Sequence, residues 1–237
     1  MGLKESGLRG SLRSVSVRVG IPNSVDYRLP MDEGAGTTLN PDIGTATATL
    51  TGGWSSDTNA VGGWWTTYDG VDDEWRTDSE IDINQTNFTV IQWVSISSGF
   101  ETGDRLLFGR DDAGNGGGWD IFLRTDVNES ENGVEFATYD TSFNNGPRVA
   151  EIPTNERVMV AGAADGDTHT LYLYDTSGLI DKQSDTVSRE TTASETLVGM
   201  NRDDGSTPTE GQADALAAAF GTTMSQSQIE QYWDSTR

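Results

Sequence analysis

The chain has 237 residues, a net charge of −23 from 38 acidic against 15 basic side chains, and no cysteine. The length suits one all-β domain with a full core, the missing cysteines exclude a disulfide framework or thiolate metal site, and the lack of a basic footprint excludes direct nucleic-acid binding. Lys4 and Lys182 are the only lysines, and this acidic, lysine-poor composition is expected of a protein from a salt-loving organism or its virus, with a merely acidic surface protein as the alternative.

Residues 1–25 carry Lys4, Arg9, Arg13 and Arg18 against Glu5, a net +3 that leaves −26 for the remainder. Leu8, Leu12, Val15, Val17 and Val19 lie among them, and Ser14 to Val19 alternates polar and apolar as a strand does. Two readings of this segment stand. It is either a docking arm that pairs with another subunit or another particle protein, or the first strand of the domain. No apolar run of signal-peptide length occurs there, and no stretch approaches a membrane span, so no membrane insertion is expected.

From Tyr27 onward the chain reads as short strands divided by turns, among them Gly34-Ala35-Gly36, Thr51-Gly52-Gly53, Asn144-Asn145-Gly146-Pro147 and Asp165-Gly166-Asp167. That punctuation marks a sandwich rather than a helical or βαβ fold. In Trp64 to Tyr68, Trp64 shares parity with Thr66 and Tyr68, so Trp65 points to the opposite face. Phe88, Val90, Val94 and Ile96 line one face of the next strong strand, and Ile91 and Trp93 the other. A strand apolar on both faces is central, and its second face must be covered by loops or by a ligand. Trp119 follows the Gly114-Asn115-Gly116-Gly117-Gly118 loop, and His169 sits in an Asp-Gly-Asp-Thr-His turn where solvation is expected. Near the end, Ser225 and Gln228 form a capping box, Met224 and Ile229 a hydrophobic staple, and Ile229, Tyr232 and Trp233 share one helical face. This predicts a short C-terminal helix packed on the sandwich without a chemical role.

Five blocks carry a resemblance in both wording and order. They are Met31-Asp32-Glu33-Gly34-Ala35-Gly36-Thr37-Thr38-Leu39, Tyr68-Asp69-Gly70-Val71-Asp72-Asp73, Phe88-Thr89-Val90-Ile91-Gln92-Trp93-Val94, Gly118-Trp119-Asp120-Ile121-Phe122-Leu123 and Leu171-Tyr172-Leu173-Tyr174-Asp175. Together they resemble the LamG-like family of concanavalin A-like lectin and glucanase jelly rolls, as does the ending through Gln212 to Leu216 and Thr223 to Trp233. The resemblance implies an all-β, concanavalin A-like jelly-roll sandwich of two antiparallel sheets over residues 26–237, closed by a short helix. It also implies a candidate ligand set for a structural calcium ion, with Asp214 and Asp32 or Glu33 at the matching acidic positions. The loop Asp111 to Asn115 is a looser metal candidate.

Trp65, Trp93 and Trp119 are the carbohydrate-binding candidates, because an indole on an open sheet face stacks on the apolar face of a sugar ring; the other reading packs each under a loop. The ExDxxE-type strand of the related glucanases is absent, and no pair of carboxylates has a spacing that fixes retaining chemistry. The chain is therefore read as a non-enzyme. The expected role is a virion surface protein of a halophilic virus, assembled in the host cytoplasm, oligomerising and meeting other virion proteins through residues 1–25, and attaching to host glycans. A purely architectural virion subunit and a cellular carbohydrate-binding adhesin are the alternatives.

The charge yields a direct test. At about 0.1 M salt the Debye length is about 10 Å and the carboxylates repel one another, whereas in molar salt it is about 3 Å. Thermal melts should show a midpoint that climbs steadily over this range; a flat profile would remove the salt-adapted reading.

Overall fold

The computed structural model describes residues 21–81, 86–97, 105–110, 118–125, 132–139, 143–144, 146–188, 196–201 and 208–237. These residues form two antiparallel sheets and one helix. The first sheet runs, in spatial order, β15 (Leu179–Thr186), β14 (Thr168–Tyr174), β13 (Val158–Asp165), β7 (Asn87–Ile96), β17 (Glu210–Phe220), β5 (Trp64–Asp69) and β4 (Gly53–Ser56), with β1 (Tyr27–Leu29) also on β17. The second runs β11 (Phe143–Asn144), β10 (Asn132–Tyr139), β9 (Gly118–Thr125), β8 (Arg105–Arg110), β16 (Leu197–Gly199), β6 (Trp75–Thr77), β3 (Ala48–Leu50) and β2 (Thr38–Leu39), with β12 (Arg148–Glu151) also on β10. The order places the first and last strands side by side at the centre, as in a jelly roll, and the fold is the expected jelly-roll sandwich.

The core between the sheets follows the parity of the strands. Phe88, Val90, Val94 and Ile96 of β7 face Trp119, Ile121, Val134 and Phe136 from the second sheet. Phe136 meets Phe88 and Trp119 edge-on, at centroid distances of 6.0 and 6.2 Å, an arrangement the ring quadrupoles favour. Trp119 is thus fully buried between the sheets, which corrects its candidacy as an exposed sugar platform. His169 is also fully buried, stacked on Phe136 at 5.0 Å, where the turn composition predicted solvation. The strand β14 begins at Thr168, one residue before the histidine, so alternation turns its ring inward.

The outer face of the first sheet is apolar as well. Ile91 and Trp93 of β7, Met159 and Ala161 of β13, Tyr172 and Tyr174 of β14 and Ala217 and Ala219 of β17 form a second cluster. Its cover is the helix α1 (Gln226–Thr236), which contributes Ile229 and Tyr232, with Trp233 at its border. The predicted cap is present: Gln228 Oε1 accepts from the Ser225 backbone N–H at 2.9 Å, and Met224 and Ile229 are buried together. The helix therefore supplies the cover that the two-faced strand requires. Residues 21–25 adjoin it, with Val25 in the same cluster and Ser24 Oγ accepting from Gln228 Nε2. Residues 1–20 and the loop 111–115 lie outside the described residues.

Trp119→Ala should cost about 3–5 kcal/mol of stability, the usual range for truncating a core aromatic. Denaturant titration at fixed molar salt measures it, and a loss below about 1 kcal/mol would contradict the packing described.

Candidate functional site

Strand β17 carries a bulge that builds the functional face. Asp214 lies opposite Trp93, yet Leu216 lies opposite Gln92, so one extra residue is accommodated between them. Asp214 and Ala215 consequently both belong to the outer side, whereas strict alternation would turn one of them inward. Ala215 adopts φ +20, the local distortion that accompanies the insertion.

The bulge delivers Asp214 into full burial. Its Oδ1 accepts from the Ala215 N–H at 2.8 Å, and its Oδ2 from the Val61 N–H at 2.6 Å and from Arg157 Nη2 at 3.2 Å. Arg157 Nη2 also donates to the Thr236 carbonyl at 2.8 Å, near the end of α1. The guanidinium carbon stands 4.0 Å from the centroid of Trp93 and 5.6 Å from that of Trp65, so one cation roofs both indoles. Burial pushes the Asp214 carboxyl up to about 7, against the lowering by Val61 N–H, Arg157 and Ala215 N–H. Burial likewise depresses Arg157 despite its partner. Desolvation of both groups outweighs their mutual attraction, as is common for buried pairs.

A cleft of about 370 Å³ opens beside this pair. Trp65 of β5, Ser95 of β7 and Gln212 of β17 form its base, Ser95 and Gln212 being direct cross-strand partners. Asp57 and Asn59 supply one wall, and Asn155, Glu156, Arg157 and Thr176 the others. Asn155 holds a left-handed φ of +57 and donates its backbone N–H to the Ile96 carbonyl at 2.7 Å, which ties the wall to the end of β7. Such a conformation in a residue other than glycine is a recurrent mark of functional rims. Two buried donors in the lining, Trp65 Nε1–H and Arg157 Nε–H, have no hydrogen-bond partner among the described residues. A buried donor left unpaired is costly, and few native groups are left so without a reason.

Measured against this geometry, the three tryptophans separate. Parity placed Trp65 correctly on the outer face, but the ring is only 1% exposed because Arg157 covers it. It presents no open stacking face, and its Nε1–H is buried without a partner among the described residues. Trp93 is fully buried and its Nε1 donates to Thr236 Oγ1 at 2.8 Å, so the helix occupies the place a sugar was expected to take. Trp119 is remote from both, in the inter-sheet core. The metal expectation for Asp214 is also corrected, because its oxygens are committed to two backbone N–H groups and a guanidinium whose charge repels a cation. Asp32 is exposed beside Gly62, with its carboxyl raised by partial burial and by Glu33. Glu33 itself accepts from the Asn40 backbone and side chain. Among the described residues the carboxylates that gather most closely are Asp69, Asp72 and Asp73, in the turn after β5. Sequence reasoning missed Arg157, Gln212, Ser95 and Asn155, and the bulge that sets the face has no glycine or proline to announce it.

No protein-family model matches the sequence, and no curated protein matches it. Solved structures do. The binding domain of botulinum neurotoxin serotype D superposes with a TM-score of 0.64 at 12% identity, over 89% of this chain and 51% of that one. The serotype G binding domain gives 0.63 at 11%, over 88% and 50%. The chain thus spans about half the length of these toxin domains. Domain 4 of AbnA, an extracellular arabinanase of family GH43 from Geobacillus stearothermophilus solved with arabinotriose, gives 0.64 at 16%, over 90% of this chain and 98% of that one. These neighbours share the jelly-roll fold; two are toxin binding domains and one is a domain of an arabinanase.

The buried pair has a pH signature. Asp214 holds its proton to about 7 in the folded chain, against about 3.9 when unfolded. The folded state therefore binds the proton more tightly, and this group's contribution is complete below about 4 and lost as pH rises through about 7. Melting midpoints of the native chain should fall across that window relative to Asp214→Asn, whose slope there should be flatter. Parallel profiles would show that Asp214 titrates normally.

Proposed function

We propose that this chain is a non-catalytic, lectin-like binding module that takes a saccharide in the cleft over Trp65. The observation that carries this reading is the pair of buried, unpartnered donors, Trp65 Nε1–H and Arg157 Nε–H, in a cleft otherwise lined by amides, hydroxyls and two carboxylates. Sugar hydroxyls accept from such donors and donate to Asp57, Glu156, Asn59, Asn155 and Gln212. The volume of about 370 Å³ falls within the roughly 300–1,000 Å³ usual for small-molecule sites. The fold shared with an arabinanase domain solved with arabinotriose is in keeping with this chemistry. Asp57 and Glu156 at the rim, on a chain of net charge −23, favour uncharged sugars over sialylated or sulfated ones.

The setting we infer is the surface of a particle exposed to concentrated salt, a virion surface protein of a salt-loving host. The acidic, lysine-poor composition supports it. The basic segment 1–25 on an otherwise acidic body favours assembly through that segment, and with it the second reading, a purely architectural subunit.

The cleft is tested by titrating the chain, in molar salt, with a panel of neutral and anionic oligosaccharides. Trp65→Phe keeps a ring but deletes the Nε1–H donor, and it should weaken binding about tenfold while the melting point moves little. Gln212→Ala should weaken it as well. No retention of any saccharide by the parent chain would discard the lectin reading and leave the architectural one.

A further inference from the structure

On the same outer face, just beyond the Thr176 wall of the cleft, lies a second hollow of about 420 Å³ between the turn after β14 and the last turns of α1. Tyr174, Leu179, Trp233, Glu230 and Asp234 dominate its lining. The Tyr174 and Trp233 rings stand 6.0 Å apart and tilted by 32°, and Trp233 is fixed by donating Nε1–H to the Asp175 carbonyl at 2.8 Å. Tyr174 is 1% exposed, and its hydroxyl is buried without a hydrogen-bond partner among the described residues. Burial and the charge of Glu230 raise this phenol, which keeps it protonated.

Every charged side chain in the lining is a carboxylate, and two aromatic faces adjoin them. Negative charge beside π-faces is the chemistry that holds organic cations. The chain already displays that chemistry at the rim. Arg237 places its guanidinium carbon 4.3 Å from the Trp233 centroid and pairs with Asp234 at 2.7 Å. Lys182 Nζ stands 5.1 Å from the centroid of Tyr172, which stacks next to Tyr174 at 6.5 Å. An anion would meet Glu230 and Asp234 on a chain of net charge −23, and an apolar ligand would leave the Tyr174 hydroxyl unpaired.

We propose that this hollow is a second ligand site, separate from the cleft over Trp65, which binds a guanidinium or ammonium group against Trp233 and Glu230 with the Tyr174 hydroxyl turned toward the ligand. Leu179, 40% exposed at its mouth, suits the methylene stem that carries such a group. Arg237 is then a rim competitor, because it shields one face of Trp233 and neutralises Asp234.

The test is a titration of the full chain followed by tryptophan fluorescence and by ¹H–¹⁵N shifts of the indole groups. The probes are N-acetyl-arginine amide (arginine amide below), tetramethylammonium and, as the uncharged isostere of the first, N-acetyl-citrulline amide (citrulline amide below); a synthetic peptide of residues 1–20 tests whether the cation comes from this chain's own basic segment. Arginine amide should bind with a Kd on the order of 1–10 mM and shift the Trp233 indole signal, citrulline amide at least about fivefold more weakly. Glu230→Gln and Trp233→Phe should each weaken binding about fivefold, Trp65→Phe should leave it unchanged, and Arg237→Ser should tighten it. The tightening is the discriminating outcome, since loss of a merely structural arginine would not improve binding. Equal binding of citrulline amide, or shifts confined to Trp65, would overturn the proposal. Saturation by the peptide but not by arginine amide would overturn it as a small-cation site and make the surface a docking site for the segment.

Discussion

The central strands of the first sheet are apolar on both sides, and a sheet of that kind cannot leave either face in water. One face is satisfied by the second sheet, through Phe88, Trp119 and Phe136. The other needs a separate cover, and a single helix of eleven residues supplies most of it. Such a short helix has little stability of its own, so its place depends on what fastens it. Ile229 and Tyr232 hold it by burial, Trp93 reaches Thr236 by a hydrogen bond, and Arg157 binds the Thr236 carbonyl. Arg157 can lie under that cover only because Asp214 meets it there. The helix, the bulge, the loop carrying Val61 and the wall of the cleft therefore share one fastening.

That fastening is electrostatically expensive, which explains its position. A well-packed apolar pair would hold the helix at lower cost, but it would not leave a polar surface beside it. With Asp214 and Arg157 inside, the sheet ends in a row that is apolar under the helix and hydrogen-bonding just beyond it. Asp214 lies opposite Trp93, Trp93 opposite Met159, and Met159 opposite Tyr174. The cleft runs beside this row, on Gln212 and Ser95, and reaches Thr176, next to Ser177 of the hollow at the Tyr174 end, so both are seated on strands rather than on loops alone. Sites seated in this way hold their geometry more tightly.

Period-two alternation makes much of this arrangement legible in the amino-acid sequence. It separates Phe88, Val90, Val94 and Ile96 from Ile91 and Trp93, turns Trp65 outward, and requires something to cover the second face. The helix and its Ser225–Gln228 cap are equally plain. What alternation cannot tell is whether an outward residue meets water or an element that arrives from far along the chain; Trp93 escapes it because the helix covers it, and Trp65 because Arg157 does. His169 escapes it for another, since the strand begins within what its composition marks as a turn. The bulge at Asp214 and Ala215 leaves no trace in residue type, so the partner of Asp214 reads as a metal ion when it is a guanidinium placed by a different loop.

The edges of the sheets carry a consequence for behaviour in concentrated salt. Among the described residues the outermost strands are short, two residues in β2 and β11 and four in β4, except for β15, whose eight residues are almost wholly exposed. In dilute buffer a chain of charge −23 is kept apart from its copies by long-range repulsion. In concentrated salt that repulsion dies within about 3 Å, while apolar association strengthens with salting-out ions. Colloidal stability then rests on what each edge offers at contact distance. On β15 that is Asp181, Lys182 and Asp185, a mixed-sign row that a second strand would have to strip of water before pairing. Concentrated salt thus hands control of self-association from the whole molecule's charge to a few side chains on one strand.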